Sequence, residues 1–327
     1  MLADHLDTKI GTSEVGMSPN RVGFGEGLFV AGEKDERIVA LCADLTGSTK
    51  TAQFADAYPE RFVQVGIAEQ NMASVASGMA AMGKIPFIAS YAMFSPGRSW
   101  EQVRTTIAYN ESNVKIIGAH AGVSVGPDGA THQAIEDIAI MRVIPNMVVI
   151  APADTHEAKK AVMAAAEYDG PVYIRIAREA TPVVTTDESP FSIGAAYTYW
   201  HKDPAHEKTV GLISTGTLAH NAIMAAQQLN EAGIGASVLH MPTIKPLDTA
   251  ALDALAAEHE TIVTVEEHQV AGGLGSAVSE YCSEHSPKRV VKIGVQDQFG
   301  QSGEPDELIA HYGLDTDSIV AKVQSMV

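Results

Sequence analysis

A chain of 327 residues exceeds the size that one hydrophobic core usually serves, so the sequence predicts two domains. Its formal net charge of −18, from 22 basic and 40 acidic residues, excludes the basic face that nucleic-acid binding calls for. Two distant cysteines, Cys42 and Cys282, a polar start over residues 1–7 and no apolar run of about twenty residues predict a cytoplasmic protein without disulfides, leader or membrane span.

Residues 1–16 are polar and mixed, and read as a loosely held lead-in. The pattern then predicts a helix over 22–31, a strand over 37–43, a polar loop over 44–49 that contains Ser48, and a further helix. A strand over 62–65 feeds a small-residue helix over 73–82, followed by a strand over 85–90, a helix over 99–109 and a strand over 114–118. A long loop passes through His132 to a strand over 147–151, a helix over 156–168 and a strand over 172–176. Short apolar β-rich runs alternating with helix-length segments predict a parallel sheet covered on both faces. Pro190, Pro204 and mixed charges break the rhythm over 182–208, which reads as a linker with a hairpin-like excursion. A second α/β unit follows, with strands over 209–214, 236–240, 261–265 and 289–293, three helices between them and two short helices at the end. The expected division is a first domain over 17–185, a linker over 186–208 and a second domain over 209–327.

Three stretches carry chemistry. Glu69 stands where a strand feeds a helix, next to unpaired backbone N–H groups and the positive end of the helix dipole. By itself it reads as an ordinary first-turn carboxylate. The stretch 122–133 is the most loop-like, and its glycines at 122, 126 and 129 let a ligand approach the backbone closely. His120, Asp128 and His132 flank it. A metal site is one reading, but the spacing favours a cluster that hydrogen-bonds a polyol and moves protons. Tyr91 and Phe94 follow a strand end and alone read as core. The glycine-rich run Ala271-Gly272-Gly273-Leu274-Gly275-Ser276 lacks a phosphate-binding lysine and the dinucleotide spacing, so it reads as a tight strand-to-helix turn.

Taken in order, Gly66-Ile67-Ala68-Glu69-Gln70-Asn71, Tyr91 to Arg98, Asp128-Gly129-Ala130-Thr131-His132-Gln133, Pro145-Asn146-Met147 and Gly300-Gln301-Ser302-Gly303 resemble the C-terminal half of transketolase. The resemblance runs nearly from Arg21 to Val320. It implies two three-layer α/β/α domains, a thiamine diphosphate pyrimidine-binding domain followed by a transketolase C-terminal domain. The Gly-Asp-Gly metal motif of the family's diphosphate-binding domain does not occur, so the chain resembles the second subunit of a split transketolase.

The resemblance implies that Glu69 hydrogen-bonds the aminopyrimidine of thiamine diphosphate and that Phe94, with Tyr91, stacks on it. It places Asp128 at the substrate's hydroxyl and His132 at the reacting oxygens. Arg21, Ser48, His120 and Arg178 match the sugar-phosphate contacts, with Arg98 as an addition. Arg21, His120 and Arg178 are then cations gathered for phosphate in an otherwise acidic protein. No metal ligand is expected on this chain. A Mg²⁺ or Ca²⁺ ion would be held by a partner subunit carrying the diphosphate-binding domain, around a homodimer of this chain in a heterotetramer. Deoxyxylulose-phosphate synthase, the beta subunit of 2-oxo acid dehydrogenases and a catalytically silent scaffold are the alternatives.

Overall fold

The computed structural model describes all 327 residues. Its first domain is built on a seven-stranded sheet. The strands run Val148–Ile150, Val172–Ile176, Lys115–Ala119, Ile85–Tyr91, Ile38–Cys42 and Phe62–Gln64 across the sheet, all parallel. Four of them, Ile38–Cys42, Lys115–Ala119, Val148–Ile150 and Val172–Ile176, are buried along their whole length. Ile38–Cys42 and Val148–Ile150 therefore read as continuous apolar runs without alternation, as a sheet covered on both faces requires, while the other two each bury one charged residue, Lys115 and Arg175. The helices Asn20–Lys34 and Thr155–Glu167 pack together on one face, and Glu69–Ala81 lies on the other.

The second domain is a five-stranded sheet in the order Arg289–Val295, Thr261–Gln269, Thr209–Ser214, Gly235–His240 and Tyr197–Trp200. Tyr197–Trp200 falls in the stretch read as a linker with a hairpin-like excursion. It is instead an antiparallel edge strand against Gly235–His240, with Tyr199 fully buried. The prolines either side of it hid a four-residue strand. Thr243–Lys245, also absent from the sequence reading, crosses over to add an antiparallel edge to the first sheet. One continuous apolar cluster accordingly holds Leu41 and Ile116 of the first domain together with Leu239, Leu252 and Leu274 of the second.

The lead-in is not loose. Ala3 and Leu6 are buried in the second domain's core, and Leu2 and Leu6 form bridges to Trp200 and Thr185. Asp154 fastens the adjoining segment from within. It caps the Thr155–Glu167 helix by accepting from the Glu157 N–H at 3.0 Å, and it also accepts from the Val184 and Thr185 N–H groups at 2.7 and 2.6 Å. A buried carboxylate with that many donors is satisfied, and it pins the chain between domains. The helix expected over 99–109 begins as Trp100–Gln102 and then widens, so that the Tyr109 N–H reaches the Arg104 carbonyl five residues back. A short helix, Asp137–Arg142, lies within what read as a long loop.

Candidate active site

Glu69 is the first residue of the Glu69–Ala81 helix and is only 2% exposed. The Ser90 hydroxyl donates to Oε1 at 3.4 Å, and the Arg98 guanidinium to Oε2 at 3.2 Å. Two side chains from the neighbouring strand and its following turn thus face one carboxylate at a helix N-terminus, where the dipole also favours negative charge. Arg98 lies over Phe94, 5.1 Å from the ring centroid. The structure therefore sets Arg98 beside Glu69 and not among the other cations.

Tyr91 and Phe94 form a wall. Their rings are nearly parallel, at 13°, with centroids 6.3 Å apart. His132 meets both edge-on, at 6.0 and 5.4 Å, and His120 lies 4.2 Å from Tyr91. The Thr131 hydroxyl and His132 Nδ1 share a hydrogen bond of 2.9 Å that orients the imidazole.

Next to Tyr91 lies the group expected to read phosphate. Arg21, on the first turn of Asn20–Lys34, donates to the Ser48 carbonyl at 3.0 Å and to His120 Nε2 at 3.3 Å. Ser48 therefore takes part here through its backbone. Arg178 donates to the Val125 carbonyl at 3.0 Å and pairs with Asp128 at 3.1 Å and Glu179 at 3.2 Å. His120, expected among the cations, is not one. A guanidinium can only donate, so His120 Nε2 must accept. Burial, with the Arg21 and Arg178 charges, pushes the His120 pKa down to about 3. It is a neutral hydrogen-bonding group between two cations. Eight of the expected residues, Arg21, Ser48, Glu69, Tyr91, Phe94, Arg98, His120 and His132, form one continuous set of contacts, while Asp128 and Arg178 pair with each other and act on His120 through their charges.

Sequence reasoning passed over what suspends this loop. Gln133 Nε2 lies within hydrogen-bonding distance of the Val123, Gly126 and Gln301 carbonyls, at 2.9, 3.3 and 2.9 Å, tying the loop to the second domain. Arg175, 7% exposed, pairs with Asp137 at 2.9 Å and donates to the Ala134 carbonyl at 3.3 Å and the Glu267 carbonyl at 2.8 Å. The Tyr173 hydroxyl donates to Asp137 at 2.6 Å. The available signal was an arginine in the middle of Val-Tyr-Ile-Arg-Ile, since a charge on a covered strand demands buried partners.

The glycine-rich run at 271–276 is the expected turn, with a reason that the sequence did not show. Glu266 occupies the helix N-terminus, accepting from the Leu274 and Gly275 N–H groups at 2.7 and 2.8 Å. A Cβ on Gly273 would stand 2.0 Å from that carboxylate. An internal carboxyl group, its pKa raised by burial to about 7, takes the position that an anionic ligand would otherwise use.

Family models for the transketolase pyrimidine-binding domain and the transketolase C-terminal domain match residues 19–183 and 199–319. The chain belongs to the transketolase family. It is 45% identical to a Methanocaldococcus jannaschii protein provisionally named a transketolase C-terminal section, over 93% of this chain and 94% of that one. It is 39% identical to a 6-deoxy-6-sulfo-D-fructose transketolase subunit of a Clostridium species, over 88% of each chain. Among solved structures, a split-gene transketolase described as an inactive beta4 tetramer superposes with a TM-score of 0.86 at 44% identity, covering 94% of this chain and 97% of that one. The chain is thus a split-type member of the transketolase family. Two three-layer α/β domains in sequence are the family's pyrimidine-binding and C-terminal domains. No group of three or more His, Cys, Asp or Glu side chains is assembled as a metal cage, and no helix is long and apolar enough to cross a membrane.

Proposed function

We propose that this chain is the C-terminal subunit of a split transketolase. In the cytoplasm it would move a two-carbon ketol unit from a ketose phosphate to an aldose phosphate with thiamine diphosphate. The observation that carries this reading is the buried Glu69 carboxylate at a helix N-terminus, paired with Arg98 over the Phe94 ring, which runs near-parallel to Tyr91, with Arg21 and His120 in contact next to Tyr91. These residues fit the cofactor's aminopyrimidine: a carboxyl group to share a proton with a ring nitrogen and a flat apolar face to stack on. When bound, thiamine diphosphate supplies the nucleophilic carbon and the electron sink of the reaction.

This chain's own residues do the rest. Glu69 holds a proton acceptor at the pyrimidine end, its charge stabilised by Arg98 and Ser90. His132, oriented by Thr131, donates or accepts at the reacting oxygens, and Asp128 takes the neighbouring hydroxyl. Arg21 and Arg178 bind the phosphate, while neutral His120 serves it as a hydrogen-bond donor from Nδ1, which is buried without a protein partner. A Mg²⁺ or Ca²⁺ ion and the cofactor's diphosphate belong to a partner subunit, with this chain as the homodimeric core of a heterotetramer. The lengths support this reading: the chain spans 94% of the Methanocaldococcus protein but 49% of rat transketolase.

Alone, the chain should transfer no ketol unit. Adding a subunit with the diphosphate-binding domain should restore transfer, and Glu69→Gln should then keep the fold and much of the cofactor affinity while losing most turnover. Full activity from the isolated chain, or near-normal turnover of the Glu69→Gln complex, would overturn the proposal.

A further inference from the structure

His120, expected at the phosphate, and Asp128 and His132, expected at the reacting end, lie along one glycine-rich loop. Something outside the loop must set its shape. We infer that Glu267, contributed by the second domain, is the positioning residue that fixes residues 121–132 and, through them, His120, Asp128 and His132.

Glu267 lies on the Thr261–Gln269 strand and is 3% exposed. Its Oε1 accepts from the Ser124 N–H at 2.6 Å. Gly122 has φ +93, and a Cβ there would stand 2.3 Å from the same oxygen. The loop is cut back to bare backbone at the one place where the carboxylate enters. Oε2 is buried and has no hydrogen-bond partner in the protein.

A carboxylate is a costly way to fill such a space, since the effective penalty for burying an ion is several kcal/mol, and a leucine would pack there more cheaply. What leucine cannot do is accept the Ser124 N–H. The backbone of Glu267 also contributes: its carbonyl accepts from Arg175 at 2.8 Å, and Arg175 in turn holds the Ala134 carbonyl at 3.3 Å. Both ends of the loop, at Ser124 and at Ala134, are therefore referenced to one residue of the other domain. The consequence for turnover rests on the ketol-transfer reading. The consequence for loop geometry does not.

The test compares Glu267→Leu, Glu267→Asp and Glu267→Gln in the full chain by the NMR signals of the His120 and His132 imidazoles, with exposed His285 as the reference. Leucine removes the acceptor, and aspartate withdraws it by one methylene while keeping a carboxyl group. Both should shift or broaden His120 and His132 and leave His285 in place. Glutamine keeps an oxygen for Ser124 and should restore the wild-type positions. Should the leucine variant fail to fold, the aspartate variant alone decides. In the complex with the diphosphate-binding subunit, kcat/KM should fall at least about tenfold for aspartate and leucine and stay within about threefold for glutamine, as expected for reacting groups displaced by a fraction of an ångström. Imidazole signals unchanged in the leucine and aspartate variants, or displaced as far by glutamine as by aspartate, would overturn the inference. A wild-type complex without ketol transfer, combined with the expected NMR pattern, would instead remove the activity and leave the positioning role standing.

Discussion

His120 offers the sharpest quantitative test of the site as described. It is 1% exposed, its Nε2 accepts from Arg21 at 3.3 Å, and the Arg178 charge also acts on it. Protonation would set an imidazolium between two guanidiniums and turn the acceptor facing Arg21 into a donor. The pKa is accordingly held at about 3, below the ordinary 6.5. With the folded value depressed, the native state refuses a proton that the unfolded chain accepts. The stability involved is complete above pH 6.5, is lost as the pH falls, and levels off once the pH passes the folded value. At about 1.4 kcal/mol per pH unit, the ceiling over that window is about 5 kcal/mol, of which about 2 kcal/mol is lost by pH 5. Other buried histidines, such as His259 and His268, also have lowered pKa values, so the measurement must be a difference. Glutamine at position 120 keeps an oxygen that can face Arg21 but cannot titrate. Denaturant unfolding of wild type and His120→Gln at pH 7 and pH 5 should show the wild type losing about 2 kcal/mol more than the variant. Parallel curves, or a His120 imidazole that titrates near 6.5 by NMR, would refute the geometry described for this pocket.

Arg178→Ala in the reconstituted complex should lower kcat/KM for phosphorylated donors by roughly 10- to 150-fold, the equivalent of a charge-assisted contact of about 1.5–3 kcal/mol, while unphosphorylated sugars change little. Equal losses on both would mean that Arg178 does not read phosphate. Glu266→Ala should leave the Leu274 and Gly275 N–H groups without their acceptor and cost roughly 2–4 kcal/mol in denaturant unfolding. Gly273→Ala meets the same carboxylate from the other side, so the double variant should be less destabilised than the sum of the two. Strict additivity would argue against the contact.

Much of this architecture was open to reading from the sequence, and the reason is local. Strands such as Ile38–Cys42 and Val148–Ile150 are buried on both faces, so each announces itself as a short apolar run between polar segments. Glu69 is legible for the same reason, since its place between a strand and a helix is set by its immediate neighbours. Glu69, Tyr91, Phe94, Arg98, Asp128 and His132 could be chosen by resemblance because each sits in a stretch with a local signature, whereas Arg21, Ser48, His120 and Arg178 lie outside those stretches and follow only from the resemblance as a whole. What the sequence could not decide were relations between distant segments. Tyr197–Trp200 is a strand only because Gly235–His240 offers an edge to pair with. The lead-in is ordered only because Leu6 finds a core that the second domain builds nearly two hundred residues later. His120 reads as a cation by type and is neutral because burial and two arginines surround it. Glu266 and Glu267 stand side by side at the end of an apolar strand; one closes a helix N-terminus of its own domain and the other reaches the loop of the first. Nothing in their neighbours along the chain distinguishes them, because charge state and partner choice depend on what the fold brings within a few ångströms, and only the tertiary structure sets that.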